Sequence, residues 1–508
     1  MINELLPYTV IVPVVAAVVT LGLNKPLGRW NGLIAFLALL PSIGVFGAST
    51  YCFFTGLVAK PYEVVYDWVL IDVARLKFGF RADFLSSPVA LTIAIVSALI
   101  ALYTIKYMEH SSNMGIFSSL YLLFFVGMVG LVLSTNLIEF FVFFEITLIA
   151  SWALINEWGE FEKEKIALKY FIFTEAGALC FLAGIVATNG YLGTLEIHEI
   201  PQRIIELIAR PGVGWSILVA IVSAMLIGLF VKMAVFPLHA WLPDAHVAAP
   251  TPVSALLSPV MIGLAGYAIL RIVLLYTPTL RYISMAMIVL AVITMVYGAL
   301  NAFTQEDFKR LLAYSSISQM GYVLLGLGAT ALAMSNGHMS LAIIGVAGSM
   351  LHFVAHALGK AILFLLSGVF DHQAGTRSIS RLGGLAGRMP YTSVAMFVGF
   401  FTIMGVPFTS GFISEWMIFT SAIGSASLLN DAFKISILIV AIVATALTFA
   451  YALWAIRRML FGQLPPHLNE VREAPFGLLA PLAVMALISI ALGLYPAVFV
   501  EVLAKGLG

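Results

Sequence analysis

Apolar residues run along this chain in long blocks, and polar residues gather in the short intervals between them. A helix crossing a bilayer needs about 20 apolar residues. Blocks of that kind lie at about 3–23, 31–58, 85–107, 115–134, 136–156, 165–188, 213–236, 251–275, 279–302, 311–333, 341–369, 391–424, 433–460 and 475–504. The pattern predicts an all-α polytopic membrane protein of about fourteen transmembrane helices. Two divisions are faint: Thr135 and Asn136 alone mark a turn within 115–156, and Pro407 and Gly411 break 391–424. The longest interval, 59–84, has room for a short amphipathic element or a hairpin but not for a soluble domain. The first block lacks a basic leader and a small-residue cleavage site, so it reads as a retained helix.

Prolines interrupt two blocks in corresponding ways. GLFVKMAVFPLHAWL (228–242) and GFFTIMGVPFTSGFI (399–413), about 170 residues apart, each carry a proline late in an apolar helix and continue into a further short helical stretch. Proline removes a backbone donor and ends or kinks a helix. Paired interruptions of this kind point to a repeat-built transporter with broken helices along its pathway.

Composition narrows the class. Of 508 residues, 61% are hydrophobic and 10% charged, against about 25% charged in soluble domains. The net charge of +1 argues against nucleic acid as a partner. Cys52 and Cys180 are the only cysteines, and they offer no ligand spacing. No cofactor or metal is therefore expected on the chain itself. Intervals after odd-numbered blocks hold fourteen Lys and Arg, those after even-numbered blocks ten. By the positive-inside rule this predicts a multi-pass protein of the inner, cytoplasmic membrane with both termini on the non-cytoplasmic side.

Two lysines belong to neither set, because they lie inside apolar blocks. A lysine at the bilayer centre costs roughly 2.5–3.5 kcal/mol on insertion scales. Lys232 is flanked by apolar residues and followed by Pro237, Pro243, Pro250 and Pro252, an expense expected where the lysine and the freed backbone line a polar path. The alternative is a lysine snorkelling to the interface. Glu145 is a candidate counter-ion, in either a proton-exchanging or a static pair. Lys360 follows His352 and His356 at spacings of four, which puts all three on one helical face. That stripe is a candidate proton relay; the competing readings are a metal site, which lacks the intervening Glu of a zincin motif, and histidines hydrogen-bonded between packed helices. Glu415, just beyond the second break, is a candidate exit or a boundary carboxylate facing water. Glu175, His239, Asp244, His246 and Lys309 are further candidates for relay or gating. For Lys309 the competing role is that of a helix start beside Glu306 and Asp307.

Four segments then resemble one family. FVKMAVFPLHAWLPDAHVAAPTPVSALL, EDFKRLLAYSSISQMGYVLLGL, HFVAHALGKAILFLLSGVF and RSISRLGGLAGRMP are similar, in order, to segments of the antiporter-like proton-translocating membrane subunits. That family includes the large antiporter-like subunits of respiratory complex I, the Mrp sodium/proton antiporters and the group 4 membrane-bound hydrogenases. The resemblance covers roughly residues 80–460. It implies two inverted five-helix repeats with broken helices 7 and 12. The domain boundaries expected are 1–110 for helices 1–3, 111–275 for the first repeat (helices 4–8), 276–460 for the second (helices 9–13) and 461–508 for helix 14. It also implies a coupling carboxylate at Glu145, its partner at Lys232, a relay at His352, His356 and Lys360, and a terminal acid at Glu415. A glutamate at 415 is similar to the complex I middle antiporter-like subunit or the Mrp D type. The end after helix 14 leaves out the long lateral helix of the distal complex I subunit.

There are departures. Helix 8 offers Ser258 and Gly263 where the family usually carries Lys or His, and Ala248 stands where an acid is common. The expected function is proton, or sodium, translocation as a subunit of a redox-driven membrane complex. Iron–sulfur or other redox centres would lie in partner subunits, and lipid would surround the chain. The alternatives are a subunit of a Mrp-type sodium/proton antiporter and a structural subunit with an incomplete relay. The short C-terminus, the few cysteines and the missing helix 8 lysine lean toward a hydrogenase-type or ferredoxin-linked complex.

Overall fold

A computed structural model describes residues 2–71, 74–209 and 215–506. Arg210 and the opening residues of the seventh apolar block lie outside them. Among the described residues thirteen helices are long and apolar enough to cross a membrane. These are α1 (Ile2–Gly22), α2 (Gly28–Thr55), α3 (Ser86–Tyr107), α4 (Met114–Leu133), α5 (Leu137–Trp158), α6 (Lys163–Leu192) and α7a (Trp215–Met233). They continue with α8 (Thr251–Leu275), α9 (Thr277–Phe303), α10 (Phe308–Ser335), α11 (Met339–Ala374), α13 (Asp431–Leu460) and α14 (Phe476–Leu494). The remaining block is filled by two shorter pieces, α12a (Pro390–Ile403) and α12b (Ser410–Ala426). Helix 7 likewise resumes after its break as α7b (Leu242–Ala248).

The faint division between α4 and α5 is a true helix boundary. Asn136 caps α5 by accepting from Glu139 N at 2.8 Å, and the Glu139 carboxylate accepts in turn from Thr135 N at 3.0 Å. Such reciprocal capping satisfies backbone donors that a helix start leaves free. Asp307 and Asn430 cap α10 and α13 by accepting from Arg310 N and Phe433 N, without the reciprocal bond. The 59–84 interval forms an antiparallel hairpin, β1 (Tyr62–Ile71) and β2 (Ala74–Ala82), with Tyr62 opposite Ala82 and Val64 opposite Phe80. It lies over the start of α5, where Asn136 Nδ2 donates to Lys77 O at 2.6 Å.

Both breaks are built alike. At the end of α7a, Ala234 N donates to Val231 O at 3.1 Å and Val235 N to Phe230 O at 3.0 Å. At the end of α12a, Gly405 N donates to Thr402 O at 3.4 Å and Val406 N to Phe401 O at 3.0 Å. Ala234 and Gly405 adopt positive φ, +57° and +66°. This is the Schellman pattern, in which a left-handed residue lets two amides turn back onto carbonyls that the ending helix leaves without partners. The break in helix 12 falls just before Pro407 rather than at Gly411.

Helices α8 and α11 are buried throughout their most apolar stretch, and α10 nearly so, whereas α13 and α14 bury about a third (33%) of theirs. A helix apolar all round belongs inside a bundle. These three therefore form the interior, with the broken helices packed against it.

Candidate functional site

Lys232 lies at the end of α7a and is buried, 3% exposed. Its ammonium donates to Thr147 Oγ1 at 3.1 Å and sits 4.6 Å from the centre of the Phe144 ring. Both residues flank Glu145 on α5. Close packing of α6 on α7a, where Gly228 meets the backbone of Gly177, brings Glu175 in as well. Glu145, Glu175 and Lys232 interact electrostatically as a trio, but among the described residues Lys232 closes a hydrogen bond with neither acid. The expected Glu145–Lys232 pair is thus a neighbourhood rather than a contact, with Thr147 and an aromatic face holding the cation.

The break after Lys232 is tied down from several directions. Trp241 Nε1 donates to Val231 O at 2.9 Å, Phe236 N donates to Thr294 Oγ1 at 3.1 Å, and His239 Nε2 lies 3.0 Å from the Tyr297 hydroxyl. The last four carbonyls around the end of α7b, which a helix leaves without internal donors, each find a donor on a different element. Ser254 donates to His246 O at 3.0 Å, Arg377 to Val247 O at 3.4 Å, Glu160 N to Ala248 O at 2.7 Å and Lys309 to Ala249 O at 2.9 Å. In its first turn, where an acid suits the helix dipole, Asp244 pairs with Lys169 of α6 at 2.7 Å and Arg310 of α10 at 3.0 Å. Lys309 is therefore not a solvated helix start. It is 1% exposed, and its ammonium also lies 3.7 Å from Glu160, which pairs with Arg377 at 2.6 Å.

The second cluster lies on α10, α11 and α12b. Lys360 donates to Leu312 O at 3.1 Å and to the Ser315 hydroxyl. His352 Nδ1 lies 3.0 Å from Ser414 Oγ, and its ring stacks on Tyr322 at 5.5 Å. His356 interacts electrostatically with Lys360, His352 and His246. His246, on α7b, is fully buried, with neither ring nitrogen bonded. Glu415 is 5% exposed, lies against Gly405, and is within electrostatic reach of Tyr322 and Tyr451. The candidate exit is thus a buried carboxylate, not one facing water.

Helix α8 joins the two clusters. Between Leu257 and Met261 it widens into a π turn, a feature frequent at functional sites. There Ser258 meets Ser316 of α10 at 2.6 Å, and the Pro259 carbonyl faces His356. Between Lys232 and α8 the lining is apolar: Met128, Leu131, Met261, Leu264, Ala265 and Ala268 surround a cavity of about 10 Å³, room for roughly one water.

The sequence reading located the Lys, His and Glu members of both clusters but gave no role to their hydroxyl and amide partners: Thr147, Ser258, Ser315, Ser316, Gln319, Tyr322, Ser414 and Tyr451. A helical-face count from Lys360 and His352 flags none of them, since they lie on other helices. Gln319 carried a signal of its own, as a lone amide in an apolar block. Among the described residues no group of three or more His, Cys, Asp or Glu is arranged to hold a metal ion.

Two broken helices around a buried row of ionisable and hydroxyl side chains define a multi-pass membrane subunit of the antiporter-like class. The chain belongs to the NADH:quinone oxidoreductase/Mrp antiporter transmembrane family, whose model matches residues 134–448. The complex I chain 5 N-terminus model matches 68–118. The chain is 31% identical over 499 residues to F(420)H(2) dehydrogenase subunit M of Methanosarcina mazei, covering 96% of this chain and 94% of that one. It is 33% identical over 408 residues to a Na(+)/H(+) antiporter subunit of Bacillus subtilis, covering 78% of this chain but only 50% of that relative, so it spans about half that protein's length. A chain of respiratory complex I from Thermus thermophilus superposes with a TM-score of 0.81 at 25% identity, each covered in full.

Proposed function

We propose that this subunit carries protons along a row of side chains running from Glu145 and Glu175, through Lys232, to His246, His356, Lys360, His352 and Glu415, within a redox-driven membrane complex. The observation that carries the reading is the second cluster, where α10, α11 and α12b, with His246 of α7b, bring together buried groups able to take or pass a proton. Burial of that many polar groups is expensive, and most have a neutral hydroxyl or carbonyl neighbour rather than a fixed counter-ion. Protonation of Lys232 and Glu145 would shift with the charge state of a neighbouring subunit, and the row would respond in sequence. Lys309, Asp244 and His239 hold or gate the helix 7 break. Redox centres such as iron–sulfur clusters belong to partner subunits in this reading. The two matching Schellman breaks support a pair of inverted repeats over 111–275 and 276–460. The Lys and Arg bias supports termini on the non-cytoplasmic side of the cell membrane.

A second reading is favoured by the 33% identity to a sodium/proton antiporter subunit: the same row coupled to a pre-existing ion gradient. Purifying the intact complex in mild detergent and reconstituting it into vesicles separates the two. Redox subunits that co-purify, with electron flow acidifying or alkalinising the vesicle lumen, support the first. Small membrane proteins alone, with sodium-gradient-driven proton movement, support the second. If Glu145→Ala and Lys232→Ala both leave ion movement unchanged, the chain is a structural subunit.

A further inference from the structure

Gln319 is fully buried on α10, and neither its amide oxygen nor its amide nitrogen has a hydrogen-bond partner among the described residues. A buried amide left open at both ends forgoes about 1–3 kcal/mol per group, so it is rare without a purpose. His356 on α11 is also buried, 1% exposed; its ring lies against the Pro259 carbonyl but closes no well-formed hydrogen bond among the described residues.

The packing register puts the two opposite each other. α10 and α11 run antiparallel, and their contacts step regularly along the seam: Thr330 against Gly345, Gly326 against Ser349, Tyr322 against His352, and Ser315 against Lys360. On α10 the first three positions fall four residues apart and the last lies seven further on, two turns along the same face. The turn that remains between Tyr322 and Ser315 is that of Gln319. The turn that remains between His352 and Lys360 is that of His356. One turn from Gln319, Ser316 meets Ser258 of the α8 π turn, and His356 faces the Pro259 carbonyl of that same turn. The register therefore sets the two positions on facing turns of α10 and α11, beside the π turn of α8.

We infer that Gln319 is the positioning residue for His356, an inference that rests on the proposed relay. An amide presents one acceptor and two donors and does not titrate. It can fix the imidazole's orientation and tautomer through one bridging water, whichever nitrogen carries the proton. His356 is then held between Lys360, one turn below, and His352, one turn above. The proton itself never resides on Gln319; the amide keeps the ring aligned to accept from one neighbour and donate to the other. Tyr322 serves His352 in the adjoining turn by stacking on its ring.

The test uses the intact complex in vesicles. Gln319→Met keeps the length and removes the amide; Gln319→His keeps a donor and an acceptor. Gln319→Met is expected to assemble normally, slow ion translocation roughly tenfold and raise the solvent deuterium isotope effect, whereas Gln319→His recovers the rate to within about twofold. Combined with His356→Ala, Gln319→Met should add little further loss. A wild-type rate and isotope effect in Gln319→Met, with His356→Ala defective, overturns this inference and leaves the relay standing. Unchanged translocation in His356→Ala overturns the relay first. If the Met variant does not assemble, Gln319→Leu takes its place and is read by the same two outcomes.

Discussion

Lys232 and Lys360 are both buried lysines, one on a broken helix and one on an interior helix, and their surroundings differ in kind. Lys232 has two carboxylates within electrostatic reach, one hydroxyl and an aromatic face. Lys360 bonds a carbonyl and a hydroxyl and has imidazoles for neighbours. Among the described residues no carboxylate forms an ion pair with it. In the proposed relay the first lysine would answer a change of charge, and the second stands among groups that can hand a proton on. The difference suggests a division of labour between coupling and conduction within one chain.

Arginine substitution breaks or sharpens that division, because arginine keeps the charge and does not release its proton. Lys360→Arg is expected to lose ion translocation about as fully as Lys360→Ala, a fall of roughly a hundredfold or more. Lys232→Arg should retain a larger share of the rate than Lys232→Ala, since in the proposed relay its charge is what couples it to Glu145 and Glu175. Translocation in vesicles, normalised to assembled complex, reads both. A working Lys360→Arg variant would make the two lysines equivalent and remove the comparison.

A third, half-buried charge shows what a direct pair looks like. At the far end of α8, Arg271 Nη2 donates to both Asp83 oxygens at 2.7 Å, and its Nε donates to the Tyr267 hydroxyl at 2.7 Å. Burial pushes the Asp83 carboxyl up, but Arg271 and the Ser86 backbone N–H outweigh it and hold it below the ordinary carboxylate value. A lowered native value means stability present above the unfolded value, about pH 3.9, and lost as pH falls through the native one. Asp83→Asn is expected to cost about 3 kcal/mol at neutral pH by leaving Arg271 uncompensated. Thermal unfolding in detergent should show the wild type losing ground to the variant only in acid. A constant gap from pH 7 down to strong acid would mean that the pair is not what stabilises this end.

These three charges also show what the sequence made legible. Blocks of apolar residues marked every membrane helix, because a bilayer imposes one length and one polarity on each crossing. Lys232, Lys360 and Glu415 stood out for the same reason: a charge inside such a block has few bland explanations. The interval 59–84 left open whether it held an amphipathic element or a hairpin, and the structure resolves it as β1–β2. What stayed hidden depended on three-dimensional register. Helix 8 looked silent between Lys232 and the histidines, since Ser258 is an ordinary residue until a π turn aims it at Ser316. His246 was a candidate without neighbours until α7b folded it toward His356 and Lys360. Lys309 looked equally suited to a helix start, because nothing local announces that Ala249 O will cover it.

The two breaks allow the smallest and cleanest comparison, one residue against another in the same motif. Gly405 occupies the left-handed position of helix 12 at φ +66°, and a Cβ there would come 2.7 Å from Glu415 Oε2. Gly405→Ala should therefore cost about 1–2 kcal/mol in backbone strain and displace the carboxylate, so translocation falls along with stability. Ala234 holds the same position in helix 7 at φ +57° with its methyl buried, 0% exposed. Glycine there relieves the strain but adds freedom to the unfolded chain, about 0.5–1 kcal/mol. Losing the buried methyl costs about 0.8 kcal/mol more, so the contributions nearly cancel and Ala234→Gly is expected to leave the thermal unfolding temperature and translocation unchanged. A fall would show that the Ala234 methyl is needed for packing beneath Lys232, so that the break in helix 7 is set by its contacts where the break in helix 12 is set by its backbone.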